Sequence, residues 1–477
     1  MDFRSYDLDA RYYDEMFQGD GTPREHFQSL HETLSRLSVE DVGSIQERVT
    51  RSFSNEGITF TVYGDEEAEE RIIPIDCVPR ILSAEEWRWL VTGLKQRLRA
   101  LNLFLGDIYN QASIIADGVI PVDVVKGCPQ YRNEMRGVSV PHGVWVGVCG
   151  TDLVRTNDGF YVLEDNLRVP SGVSYMIANR KAVKANFRLL YRNSRVREVE
   201  HYGRVLLQTL RELAPRDRSG PCIVLLTPGV YNSAFYEHIF LANEIGAELV
   251  EGRDLLVNDG FVYMRTTVGL KRVDVIYRRV DDDFLDPLVF RPDSLLGVPG
   301  LIHAFKQGNV ALVNAPGTGV ADDKSVYAFV PDMIRYYLGE EPLLKNVKTW
   351  LCRRPEELEY TLDNLEDLVV KRVGESGGYG MLVGPHSTAE ERDAYAKQVR
   401  ANPADFISQP VLSLSRAPCV IDGRTEPRHV DLRPFVLNGR RIRIVPGAFC
   451  RVALRRGSLV VNSSQGGGGK DLWVLED

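Results

Sequence analysis

Two carboxylates paired across a β-sheet need a reason, because like charges directly opposite one another destabilise it. The stretch DLVRTNDGFYVLEDN, residues 152–166, sets that problem. It reads as a β-hairpin in which NDG forms a three-residue loop, with the glycine in the left-handed region. This register puts Thr156 opposite Phe160 and, counting outward, Asp152 opposite Glu164. Asn166 lies two residues beyond Glu164 and so shares its face. A hard cation between the carboxylates reverses the sign of their interaction. Mg²⁺ accepts carboxylate and amide oxygens and commonly completes its shell with phosphate. Asp152, Glu164 and Asn166 are therefore candidate metal ligands, although an exposed hairpin with solvated acids explains the pattern equally well.

A second stretch, DLVVKRVGESGGYGM (367–381), places Lys371 on a strand before a loop of small residues. The backbone N–H groups of Ser376, Gly377, Gly378, Tyr379 and Gly380 can approach phosphate oxygens closely there, and Lys371 adds a point charge. Neither GxxxxGK[ST] nor the strand-to-helix dinucleotide fingerprint is present, and a plain glycine turn is the ordinary explanation of such a loop. FISQPVLSL (406–414) has a strand ending at Gln409-Pro410, where a hinge can offer backbone groups to a base. In RHVDLRPFVLNGRRIRIVPGAFCRVALRRGSLVVNSSQGGGG, alternation sets Asp431 and Arg433 on one face, and NGR reads as a hairpin turn. Arg451 and Asn462 follow. Arginines around a glycine loop suit polyphosphate or carboxylate, whereas Arg455 and Arg456 read as a solvated face.

The elements that must position these residues show a clear order. Residues 1 to about 115 read as mostly helical. EHFQSLHETLSRL and AEEWRWLVTGLKQRLRALNLFLGDIYN carry apolar residues at helical spacing, and ITFTVYG alternates like a strand between them. Residues 140–180 turn to strand character, and 181–215 read as helix. From 221 the pattern is α/β: CIVLL ends at TPG, SAFYEHIFLANEIG is helical, and AELVEG, YMRTT and DVIYRRV are strands. This suits a small parallel sheet with a ligand face after the strand ends. GVADDKSVYAFVPDMIRYYLG begins a further helix, and from 366 onward the sequence reads as strand-rich.

A protein of 477 residues is too long for one ordinary core. Its net charge of −8 offers no basic footprint for nucleic acid. No apolar run reaches the roughly 18 residues of a membrane span, and the acidic, aromatic N-terminus is unlike a secretory leader. Seven scattered cysteines without a CxxC pair fit reduced thiols. The expectation is a cytoplasmic protein with no nucleic-acid or membrane partner. A homo-oligomer is compatible with the sequence, which does not set the oligomeric state.

Taken together, these pieces resemble the ATP-grasp superfamily. VADDK, with Lys324 after the aspartates, resembles the first ATP lysine, and VVKRVGESGGYGM the second lysine with its glycine-rich lid. Gln409 falls at the adenine hinge. DLRPFVLNG and the later R…N…GG resemble the strands and loop that hold phosphate and acyl substrate. DLVRTNDGFYVLEDN resembles the D…ExN magnesium hairpin of peptide-forming ligases. In the usual arrangement of the fold, D…ExN follows N…GG directly; here it stands at 152–166, far ahead of it. The order is similar to that of circularly permuted ATP-grasp proteins, including the glutathionylspermidine synthetase-like group. TPGVYNSAFYEHIFLA, VDVIYRRVDDDFLDP, RHVDLRPFVL and VNSSQGGGGKD extend the likeness to an uncharacterised bacterial family over nearly the whole sequence. No amidase domain with a Cys/His pattern is evident, so the polyamine substrate is not carried over.

The resemblance implies an α/β (α+β) fold: a circularly permuted ATP-grasp core, a Rossmann-like preATP-grasp domain and a helical N-terminal region. The expected division is 1–140 (helical), 141–200 (permuted segment with the metal hairpin), 201–320 (Rossmann-like), 321–407 (lobe with the lid) and 408–477 (second lobe). It implies a ligase that joins a small-molecule or peptide acid to an amine through an acylphosphate, using ATP and Mg²⁺. Asp152, Glu164 and Asn166 would hold the metal. Lys324, Lys371 and Ser376 to Gly380 would hold phosphate, and Arg433, Arg451 and Asn462 would steady the transferring group. Asn232 and Ser233 of the TPGVYNS turn, with Arg278 and Arg279, are candidates for the acceptor side. Phosphorylation of a small molecule and a non-catalytic nucleotide-binding module remain as alternatives.

Overall fold

A seven-stranded sheet brings distant parts of the sequence together. The computed structural model describes all residues except 2, 64–67, 216–219, 375–379, 422, 459–460 and 462–466, and describes the backbone alone at 60–63 and 68–71. Across the sheet the strands run Lys345–Asn346, Gly159–Asn166, Val148–Thr156, Asp431–Asn438, Ile442–Val452, Gly468–Val474 and Ile75–Leu82. The hairpin strand Val148–Thr156 pairs antiparallel with Asp431–Asn438. The early hairpin therefore lies beside strands from the far C-terminal part of the sequence, as the permuted order requires.

The edge strand Ile75–Leu82 pairs in parallel with Gly468–Val474. It comes from the region read as helical, and a boundary at residue 140 separates it from the sheet it completes. All eight of its residues are buried, as are all seven of Gly468–Val474. A strand buried on both faces loses the alternation that identifies a half-exposed one. The long helix is where periodicity puts it, at Ala84–Ile108, opened by a reciprocal cap between Ser83 and Glu86.

The parallel sheet has the order Ala311–Val313, Val275–Arg278, Ile223–Leu226, Glu248–Val250. Its sequence order reverses between Ile223–Leu226 and Val275–Arg278, so the ligand crevice of such a sheet lies at the carboxyl ends of those two strands. YMRTT is not part of it. Phe261–Thr266 instead sits in an antiparallel meander between Leu255–Asn258 and Gly269–Arg272. A further four-stranded sheet orders Trp350–Leu351, Phe406–Pro410, Leu368–Arg372 and Leu382–Val383. The strand-rich reading from 366 onward overlooked the helix Ala389–Ala401, whose apolar residues are few and whose start is marked by a Thr388–Glu391 capping box. This lobe has its own small core around Leu368, Val370, Leu382, Val399 and Phe406.

One side chain joins the parallel sheet to the hairpin. Asn314, directly after Ala311–Val313, accepts from Gly147 N and Val148 N, both at 2.8 Å. Its amide nitrogen donates to the carbonyls of Val148 and Leu167 at 2.7 Å and of Arg168 at 3.2 Å. Asn314→Ala leaves several buried backbone groups without partners. The expected loss is about 2–4 kcal/mol of folding stability, measured by urea unfolding. A loss below about 1 kcal/mol would contradict this role.

Candidate active site

The hairpin reaches the expected pairing by an unexpected route. Asp152 does face Glu164, but Thr156 faces Gly159 rather than Phe160. The loop is thus one residue shorter than expected. The register then shifts between Leu153, which faces Val162, and Asp152, which faces Glu164. Leu163 is the extra residue of this bulge. The short turn and the bulge offset one another, so the acids still meet. Next to them, Asn166 spends its amide nitrogen on Gly150 O at 3.1 Å, leaving its carboxamide oxygen as the available ligand atom.

Asp152 is 1% exposed. Burial by itself would raise its carboxyl, but the guanidiniums of Arg433 and Arg451 outweigh that and hold it well below the usual carboxylate range. Arg433 donates to it from Nε and, at 2.8 Å, from Nη2. Arg451 donates from Nη2 at 2.5 Å and also grips Asp431, with Nε at 3.1 and 3.0 Å from its two oxygens. Glu164 is less enclosed and stands 3.8 Å from Arg433 Nη2. Asp152 and Glu164 offer carboxylate oxygens and Asn166 a carboxamide oxygen, the donor types that fit Mg²⁺, with both Asp152 oxygens also accepting from Arg433 and Arg451.

The lysines come to the same place. Lys371 lies on Leu368–Arg372, and the charges acting on it are those of Glu164, Lys324 and Asp152. Its Nζ donates to Gln409 Oε1 at 2.8 Å. Lys324 opens the helix Lys324–Tyr327, and its backbone N–H meets Val373 O at 3.3 Å, just past the Lys371 strand. Two consecutive aspartates fix it. Asp323 caps the helix through Ser325 N at 2.7 Å. Asp322 accepts from Leu167 N at 2.5 Å and from Arg168 Nε at 2.7 Å. The segment carrying Lys324 is thereby tied to the hairpin one residue past Asn166. Burial pushes the Asp322 carboxyl up to about 6, against the pull of Arg168.

The acceptor-side candidates separate in the structure. Arg278 is fully buried and donates to the carbonyls of Asn314 at 2.6 Å, Val280 at 2.8 Å and Ala315 at 3.2 Å, with Asp282 at 2.7 Å. It holds the ends of two parallel strands together. Arg279 donates to Pro170 O at 2.8 Å and Ser171 Oγ at 2.5 Å, and Arg433 reaches Ser171 O at 3.1 Å. The loop leaving the hairpin is therefore gripped from both sides. Asn232 Oδ1 accepts from Ala234 N at 2.9 Å within its own turn, and Ser233 beside it is half-buried. Ser376, Gly377, Gly378, Tyr379 and Asn462 lie outside the described residues. Gly380, at the far end of the lid, adopts a φ of +63°.

Sequence reasoning did not single out Asn314, Asp322 or Arg168 as residues that tie the hairpin to its neighbours. Asp322 had a signal, since it adjoins the VADDK motif. The others carry none that a single sequence shows. Among the described residues no helix is long and apolar enough to cross a membrane.

The fold agrees with comparisons to known proteins. An uncharacterised protein of Synechocystis sp. is 54% identical across 100% of this chain and 99% of its own length. One from Mycobacterium tuberculosis is 48% identical across 99% of this chain and 86% of its own. A Frankia casuarinae protein provisionally named glutamate–cysteine ligase 2-2 is 43% identical across 97% of this chain, which spans 53% of it. Among solved structures, a glutathione synthetase-like effector of Globodera pallida in its apo form superposes with a TM-score of 0.59. It is 11% identical and covers 92% of this chain and 98% of that one, a likeness of fold alone. The family described as circularly permuted ATP-grasp type 2 matches residues 79–453, and the chain belongs to that family.

Proposed function

We propose that the protein is an ATP- and Mg²⁺-dependent ligase that joins a carboxylic acid to an amine through an acylphosphate. The observation that carries this reading is the convergence of Asp152 and Glu164 from the hairpin with Lys324 and Lys371 from the lobe, beside Arg433 and Arg451. Family membership supports ATP use, and the provisional name of the Frankia relative supports a ligase.

In this reading Lys324 and Lys371 neutralise phosphate charge, and Gln409 marks the strand end before the adenine hinge. Arg433 and Arg451, whose donors are held by Asp152, Asp431 and Ser171, fix the charge and position of the Asp152 carboxylate beside the transferring group. Asp152, Glu164 and the Asn166 oxygen would hold Mg²⁺, which when bound would supply positive charge to the phosphate groups. The substrate carboxylate attacks the γ-phosphorus and releases ADP; the amine then attacks the acyl carbon and releases phosphate. The residues contribute positioning and preorganised charge rather than covalent chemistry. The TPGVYNS turn, with Asn232, Ser233 and the exposed Tyr231, is the acceptor side in this reading. Arg278 and Arg279 act behind it as supports.

The test is phosphate release by the purified protein over libraries of acids and amines, with mass spectrometry of the product. Release that requires both an acid and an amine is expected. Release with one substrate alone would assign a phosphotransferase, and nucleotide binding without turnover on any pool would assign a binding module.

A further inference from the structure

The partner of Lys371 is a neutral amide, and its orientation is set by the groups behind it. Gln409 lies on Phe406–Pro410 opposite Val369, so its side chain shares a sheet face with Lys371. The Gln409 Nε2 donates to Thr349 Oγ1 at 3.0 Å, and the Thr349 hydroxyl donates to Val347 O at 3.0 Å. A hydroxyl has one proton. With that proton committed to Val347, Thr349 presents only an acceptor, so Gln409 must turn its NH₂ to Thr349 and its carbonyl to Lys371. The charged groups acting on Lys371, among the described residues, are Lys324 from its helix and Glu164 and Asp152 from the hairpin. Those carboxylates are the ones assigned above to the metal.

We infer that Gln409 is a positioning residue, a neutral clamp that aims the Lys371 ammonium into the nucleotide site and leaves its charge for phosphate oxygens. The inference rests on the nucleotide reading of the site. A glutamate fits the same space, but it would pair with Lys371 and set a negative charge beside the phosphates.

The clamp has a pH signature. Burial lowers the Lys371 ammonium to about 8, against the pull of Glu164 and with help from Lys324. Phosphate binds the protonated form, so a bound nucleotide raises that value. Affinity is therefore full below about pH 8 and falls as pH rises through the window between the free and bound values, by about tenfold per unit.

The experiment is calorimetric titration of Mg-ADP between pH 7 and 10 into wild type, Q409E and T349V, with thermal melts to confirm folding. For Q409E the affinity at pH 7.5 is expected to drop about tenfold, while its alkaline fall moves up by about one pH unit. T349V, which frees the amide to turn, is expected to lose affinity a few-fold with the alkaline fall in place. It carries the test if Q409E does not fold. A merely structural Gln409 would lower affinity equally at every pH. An alkaline fall in Q409E that matches wild type overturns the clamp, as does wild-type affinity in T349V. Absence of nucleotide binding by wild type at every pH overturns the ligase reading itself, and the clamp with it.

Discussion

Replacing Glu164 with glutamine is expected to abolish ATP turnover while leaving the fold intact. The substitution keeps the size and both hydrogen-bonding positions of the side chain but removes its charge. Glu164 is the less enclosed of the facing acids, and Arg433 Nη2 stands 3.8 Å away. Folding therefore depends little on its charge. A bound Mg²⁺ would depend on it, because a hard cation prefers anionic oxygen. Loss of one preorganised electrostatic contact at a reacting centre lowers kcat by about 10²–10³-fold. Steady-state phosphate release and a thermal melt, measured on the same preparation, check both halves. Wild-type turnover in E164Q would remove the metal assignment.

Arg451→Met is expected to do the reverse and to fail first as a structure. Arg451 is 5% exposed, and its guanidinium is shared between Asp152 and Asp431, which are 1% and 0% exposed. Removing it leaves two buried carboxylates with Arg433 on Asp152 alone. Breaking a buried pair by deleting one partner costs about 3–5 kcal/mol, a large part of a domain's stability. The unfolding midpoint in urea reads this. Arg451→Lys is expected to recover only part of the loss, since an ammonium cannot bridge two carboxylates with a planar fork. The pH dependence has a definite sign. The Asp152 carboxyl is depressed in the folded state, so its contribution is present above the ordinary carboxylate range. It is lost as pH falls through and below that range. Wild type is therefore expected to lose more stability on acidification than R451M. A variant within about 1 kcal/mol of wild type would show that the network does not hold the sheet.

The pairing of Asp152 with Glu164 was legible, but not for the reason first available. Counting outward from NDG overstates the loop by one residue, and the bulge at Leu163 returns the register. Arg433 and Asp431 were likewise legible as a shared face by alternation, and the helix Ala84–Ile108 by its apolar spacing. Ile75–Leu82 was not legible as a sheet strand, because burial on both faces erases the alternation.

By itself, the sequence determined the local chemistry: a hairpin with facing acids, a lysine before a glycine loop, arginines on an alternating strand, and the permuted order that pairs residues 148–156 with 431–438. Only the tertiary structure shows which partners the candidate side chains hold. Arg278 looks like a ligand in the string YRR, yet its donors are taken by Asn314, Val280, Ala315 and Asp282. Gln409 stands at a strand end in the sequence, and in the structure its side-chain oxygen accepts from Lys371. The physical reason is that hydrogen-bond partners of a buried polar group are set by long-range packing. Asn314 and the carbonyls it joins at Val148 and Leu167 are 166 and 147 residues apart in sequence, and no local pattern encodes that meeting.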